Sequence, residues 1–186
     1  MQSINLPTWI TISRLLGVPF LFFFLQDPSD RHRLIALGIF LLAAGTDWLD
    51  GYLARKLNQV SDLGKFLDPL VDKLLVFAPF LILLQWGVIP AWGVFLILAR
   101  EMAIAGWRVN QTTISGANIW GKLKTVVQIA AISCLIAPLP ETWQFWTLCL
   151  FWLAVALTLI SGYLYIFPST IGVDKLSILQ VKSKKT

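Results

Sequence analysis

The sequence predicts an all-α integral membrane bundle of six transmembrane helices, with both termini on the cytoplasmic side. Three observations lead there. Hydrophobic residues make up 57% of the 186-residue chain and charged residues 13%, about half the charged share of soluble domains. The apolar residues gather into six segments, each near the roughly 20 residues that cross a bilayer. Lys and Arg collect on alternate breaks between those segments, which orients the bundle.

Taken in order, the segments cover approximately 6–25, 34–56, 65–86, 89–109, 118–138 and 143–167, a single domain followed by a short basic tail from about 168. The first carries Arg14, lacks a basic leader and has no small-residue cleavage site before Gln26, so it reads as a retained helix rather than a secretory leader. Polar or Pro/Gly-bearing breaks separate the segments: QDPSDRHR, LNQVSD, WGVIP, NQTTISGAN and APLPE. His32, in the first break, reads as a solvated loop residue. That break holds Arg31 and Arg33, while WGVIP and APLPE hold no cation. The opposite side collects Arg55, Lys56, Lys65, Arg108, Lys122, Lys124 and the tail lysines. By the positive-inside rule that side is cytoplasmic. The net charge of +5 therefore reads as topology plus attraction to anionic lipid and substrate, not as a nucleic-acid footprint. Trp86, Trp92, Trp143 and Trp146 fall where the outer interface should lie and read as an aromatic belt. Cys134 and Cys149 have no partner at ligand spacing and read as small core or lipid-facing residues. The small residues of AVALTLISG, 154–162, suit helix packing, within the chain or between subunits.

The chemistry concentrates between Asp47 and Asp72. The stretch DWLDGYLARKLNQVSDLGKFLDPLVD has the pattern D-x2-D-G-x2-A-R-x8-G-x3-D-x3-D. Four carboxylates at such depth would cost on the order of 10 kcal/mol on insertion scales, and ionisable groups kept there are functional by default. Helical spacing puts Asp47, Asp50 and Ala54 on one face, and Asp68 and Asp72 on one face of the next segment. If the two segments are antiparallel neighbours, the four acids converge near the cytoplasmic surface. Hard oxygen donors so arranged call for a pair of divalent cations. Gly51 permits close approach of a bulky group, Ala54 keeps the same face shallow, and Arg55 offers a cationic fork for phosphate oxygens. No Cys, His or Ser triad pattern accompanies them, so a covalent enzyme intermediate is not suggested.

That pattern resembles, position for position, the signature of the CDP-alcohol phosphotransferase family. The opening NLPTWITISRLLGVP, the later LAREMAIAGWR and the WGKLKT segment look like the branch that makes phosphatidylglycerophosphate. The resemblance implies transfer of a phosphatidyl group from CDP-diacylglycerol to sn-glycerol 3-phosphate, releasing CMP. It implies that Asp47, Asp50, Asp68 and Asp72 hold two divalent ions, Mg2+ or Mn2+, with Asp72 also the base for the acceptor hydroxyl. It assigns CDP-diacylglycerol binding to Gly51, Ala54, Arg55, Ser61 and Gly64. It also implies a homodimer in a bacterial inner membrane, with the site facing the cytoplasm.

The acceptor's phosphate is a dianion and needs cations on that side. Arg100, Arg108, Lys122 and Lys124 are the available ones. Arg100 and Glu101 equally suit a structural ion pair, and Lys122 and Lys124 also suit, less well, topology-setting charges at a helix start. Arg14 either snorkels or faces the bundle. Asn5, Thr8 and Thr11 read as caps of the first helix or as substrate contacts. Two alternatives stay open: the same chemistry on another acceptor (inositol phosphate, serine or phosphatidylglycerol), and a divalent-cation channel or transporter. The latter leaves Gly51, Ala54 and Arg55 without a task.

Overall fold

A computed structural model describes the backbone over 6–57, 62–109 and 119–166, and side chains over 13–46, 70–107 and 119–166. Six helices occupy these residues: α1 (Leu6–Leu25), α2 (Asp30–Leu57), α3 (Asp62–Gln85), α4 (Ala91–Val109), α5 (Ile119–Ile136) and α6 (Gln144–Ile166). A single 3-10 turn, Glu141–Trp143, leads into α6, and no strand occurs among the described residues. By length and composition, Ile119–Ile136 and Glu141–Ile166 are apolar enough to cross a membrane.

The helices start and stop for local reasons. At the α1–α2 corner, Asp27 Oδ1 accepts from the Ser29 backbone N–H at 3.1 Å, and the Ser29 carbonyl accepts from the Arg33 N–H at 2.9 Å to open α2. The Ser29 N–H, and then the nearby His32 ring, hold the exposed Asp27 carboxyl below the usual carboxylate range. His32 is thus not a loop residue: it lies in the first turn of α2, its Nδ1 2.9 Å from Asp27 Oδ2. At the other end of the pair, α3 closes with a Schellman turn. Gly87 takes φ +71°, its N–H reaching Leu84 O at 3.0 Å, while Val88 N–H reaches Leu83 O at 3.0 Å. Pro90 then bars the helix from continuing until α4 begins one residue later.

The helices pack as two groups joined through α5. Helix α1 lies against both α2 and α3, which touch each other over a shorter stretch. Helix α6 lies against α4 and α5, and α5 also meets α2 and α3. The core between them includes Phe40, Phe80, Leu83, Ile97, Ile132 and Phe151. Phe80 and Phe151 meet edge to face, ring centroids 5.9 Å apart. Gly93 lets α4 reach that pair, because a Cβ there would come within 2.8 Å of the Phe151 ring. The small-residue stripe of α6 is used inside the chain: Ala154, Val155, Thr158, Ser161 and Gly162 are buried, and Thr158 Oγ1 accepts from Gln128 Nε2 of α5 at 3.0 Å. Large apolar side chains face outward on every helix, among them Phe23, Leu42, Leu81, Phe95, Val126 and Leu153. Many exposed large apolar side chains of this kind suit lipid better than water. Cys134 and Cys149 are free thiols.

On the side of the α1–α2 corner, Arg33 reaches across to the end of α5. Its Nε donates to Ile136 O at 2.8 Å and its Nη2 to Ala137 O at 2.8 Å and Leu135 O at 3.3 Å. Its guanidinium also lies 5.6 Å from the Trp86 ring centroid. One charged side chain satisfies helix-end carbonyls that would otherwise face an apolar surround.

Candidate active site

A cavity of about 350 Å³ opens among α2, α3, α4 and α5. Its apolar floor includes Phe40, Phe77, Ile97 and Ile129, and its polar wall carries Asp72, Lys73, Glu101, Lys124 and Gln128. Ala44 also lines it, three residues and about 4.5 Å of helix rise before Asp47 on α2. The cavity therefore adjoins the acidic stretch along both helices that carry it.

Asp47, Asp50, Gly51, Ala54 and Arg55 lie in the last turns of α2, and Gly64, Asp68 and Asp72 in the first half of α3. Ser61 lies outside the described residues, as do the side chains of Asp47, Asp50, Arg55, Asp68 and Arg108. Asp72 is the acid of the set whose side chain is described. Its carboxylate is 43% exposed, on the cavity wall, and Oδ1 accepts from Arg14 Nη1 at 2.8 Å. The Arg14 side chain is 2% exposed, so it faces the bundle instead of snorkelling. Burial in α1 fixes this cation and lets it orient the carboxylate at the cavity edge.

The second polar group joins α4, α5 and α6. Glu101 Oε1 accepts from Arg100 Nη1 at 2.9 Å and from Lys124 Nζ. Arg100 Nη2 also donates to Ser161 Oγ at 2.9 Å. All three charged side chains are largely buried, and the shared carboxylate offsets the cost of burying two cations. Arg100 thus forms the ion pair, behind Glu101 and off the cavity wall, whereas Lys124 lines the cavity. Lys122 is exposed two residues earlier and does not line it. Lys73 and Gln128 are cavity residues that sequence reasoning did not single out, and Glu101 was read there only as the ion-pair partner of Arg100. A signal existed for Gln128, a lone amide in the apolar run TVVQIAAI.

The donor set suits hard divalent cations in chemistry and spacing: two acids at i, i+3 on α2 and two at i, i+4 on α3, all oxygen ligands. Asp72, open to the cavity and oriented from one side, accords with such a role. Among the described residues no three candidate ligands gather at one point.

A family model described as CDP-alcohol phosphatidyltransferase matches residues 4–160. The chain belongs to the CDP-alcohol phosphatidyltransferase family. Several relatives align over nearly the whole of this family member. A Bacillus subtilis (strain 168) protein is 41% identical over 180 residues, spanning 87% of this chain and 93% of its own. A Pseudomonas fluorescens protein is 36% identical over 169 residues, 85% of this chain and 83% of its own. A Haemophilus influenzae protein is 32% identical over 175 residues, 89% and 93%. Each of the three is named CDP-diacylglycerol–glycerol-3-phosphate 3-phosphatidyltransferase. As a CDP-alcohol phosphatidyltransferase the chain is an enzyme, and its cavity is the candidate active site.

Proposed function

We propose that this enzyme transfers a phosphatidyl group from CDP-diacylglycerol to sn-glycerol 3-phosphate, giving phosphatidylglycerophosphate and CMP. The observation that carries the reading is the cavity that joins Asp72 to Lys124 and Lys73. It offers a carboxylate for a hydroxyl proton and cations for a phosphate in one enclosure. Its volume is at the small end of the roughly 300–1,000 Å³ of ordinary ligand pockets, which suits a small polar acceptor. The relatives named for this reaction supply the substrate pair.

In this reading the acceptor's primary hydroxyl attacks the phosphorus that carries diacylglycerol. A new P–O bond forms, the bond to CMP breaks, and the hydroxyl proton passes to Asp72. Asp47, Asp50, Asp68 and Asp72 would hold two divalent ions, Mg2+ or Mn2+, whose charge would offset that of the diphosphate. Arg14 orients Asp72 from the α1 side. Gly51, Ala54, Arg55, Ser61 and Gly64 receive the nucleotide end of the donor. Lys124 meets the acceptor phosphate, with Lys73 beside it and Arg108 and Lys122 on the approach, while Arg100 acts through Glu101. All six helices span the membrane with both termini cytoplasmic, the protein pairs as a homodimer, and donor tails enter the site from the lipid.

CMP release from CDP-diacylglycerol, with each acceptor supplied separately, tests this. Glycerol 3-phosphate alone should support turnover. Turnover with serine, inositol phosphate or phosphatidylglycerol instead would replace the acceptor. Metal flux in liposomes without CMP release would replace the reaction class. Asp72→Asn should lower the single-turnover rate severely and leave donor binding less affected; unchanged single-turnover chemistry would remove Asp72 from the base role.

A further inference from the structure

Glu101 carries more than an ion pair. Both cations that hold it reach the same oxygen, Oε1. Among the described residues Oε2 takes no hydrogen bond, and it is not one of the fully buried polar atoms left without a partner. The side chain lines the same cavity as Asp72. A carboxylate has about four lone-pair sites, so Oε2 remains an available acceptor at the cavity wall. It repels a phosphate oxygen and accepts an O–H.

The geometry points to Glu101 as the residue that binds the non-reacting hydroxyl of a polyol-phosphate acceptor. This rests on the functional reading above and deepens it. The Arg100–Glu101–Lys124 group carries one net positive charge, so it attracts an anionic acceptor while Oε2 demands a donor from it. Glycerol 3-phosphate supplies both. Its phosphate meets Lys124, its primary hydroxyl faces Asp72, and its secondary hydroxyl donates to Glu101 Oε2. An acceptor at the cavity wall left unfilled when the substrate occupies the cavity disfavours any substrate that lacks the matching O–H. Glu101 thereby makes the pocket selective for a phosphorylated diol over a phosphorylated simple alcohol.

The probe is 3-hydroxypropyl phosphate, which keeps the phosphate and the primary hydroxyl and lacks only the secondary one. The wild-type enzyme should prefer glycerol 3-phosphate in kcat/KM by roughly ten- to a hundredfold, the range for a hydrogen bond to a charged group. Glu101→Met should bring the two acceptors to within about threefold of each other, a ratio that a purely structural loss would not move. Glu101→Asp, which keeps the charge and withdraws the carboxylate by one methylene, should give an intermediate ratio. A wild-type ratio near one overturns the proposal. So does a wild-type-sized ratio in either variant, and where Glu101→Met yields no folded enzyme the wild type and Glu101→Asp decide. If neither acceptor releases CMP from the wild-type enzyme, the functional reading itself fails and this proposal falls with it.

Discussion

Gly162→Ala adds one methyl group to α6 at the point where Arg100 crosses it. An ideal Cβ there would sit 2.9 Å from Arg100 Cγ, 3.0 Å from Nε and 3.5 Å from Cδ. Carbon atoms in contact prefer about 3.5–4.0 Å, so the arginine stem must yield by about half an ångström or more. A free arginine would swing away at little cost. This one is fixed at its far end by 2.9 Å bonds to Glu101 and Ser161, and its side chain is only 12% exposed. Overpacking of this kind costs about 1–3 kcal/mol, offset by about 1 kcal/mol for alanine over glycine in a helix. The net loss of stability should be about 1 kcal/mol. The larger effect is on function: as Arg100 retreats, Glu101 turns toward Lys124, and the acceptor KM should rise about three- to tenfold, equivalent to about 0.7–1.4 kcal/mol. The donor KM should hold. Gly106→Ala is the control, because among the described residues nothing lies within 4 Å of its Cβ. Thermal unfolding in detergent and steady-state kinetics with each substrate varied would read both effects. A Gly162→Ala enzyme with the unfolding temperature of Gly106→Ala and a wild-type acceptor KM would refute the reasoning.

Three further outcomes are expected. Asp47→Asn and Asp68→Asn should abolish transfer, measured as CMP production across a Mg2+ or Mn2+ titration; near-normal turnover without added metal in either variant would end the two-ion reading. Lys124→Gln should raise the acceptor KM roughly ten- to a hundredfold, as for a lost charge-assisted hydrogen bond, whereas exposed Lys122→Gln should stay within about threefold of wild type; equal effects would shift the phosphate site toward the cavity mouth. Arg33→Gln removes two 2.8 Å bonds and one 3.3 Å bond to the end of α5, which at partial exposure should cost about 2–3 kcal/mol of stability with kinetics unchanged; a wild-type melting profile would show that the clasp contributes nothing.

Most of the helix pattern was legible because long apolar runs mark it. The first segment, 6–25, coincides with α1, and the WGVIP and APLPE breaks fall between helices as expected. The misses have a common cause. Helix α2 begins at Asp30 instead of 34 because polar residues in a first turn look like loop to a hydropathy reading, while the Asp27–Ser29 turn commits them to helix. Long-range charge pairing was also invisible. Arg14 and Asp72 are 58 residues apart, Glu101 and Lys124 23, and no local pattern announces either partner. The acidic stretch stood out because its four acids are expensive in lipid and regularly spaced. Glu101 did not, since an adjacent Arg–Glu pair explains itself without a ligand and hides the oxygen left over.

The Arg33 clasp also sets an order of assembly. Its acceptors at the end of α5 come 103 residues later in the chain, so they do not exist when the first two helices are made. Until then the guanidinium must stay hydrated or find another acceptor. The α1–α2 hairpin therefore forms with one end unfastened, and latching is deferred until α5 arrives. A nascent chain halted before α5 would keep that positive charge without its carbonyl acceptors, a mark by which an incomplete bundle differs from a finished one.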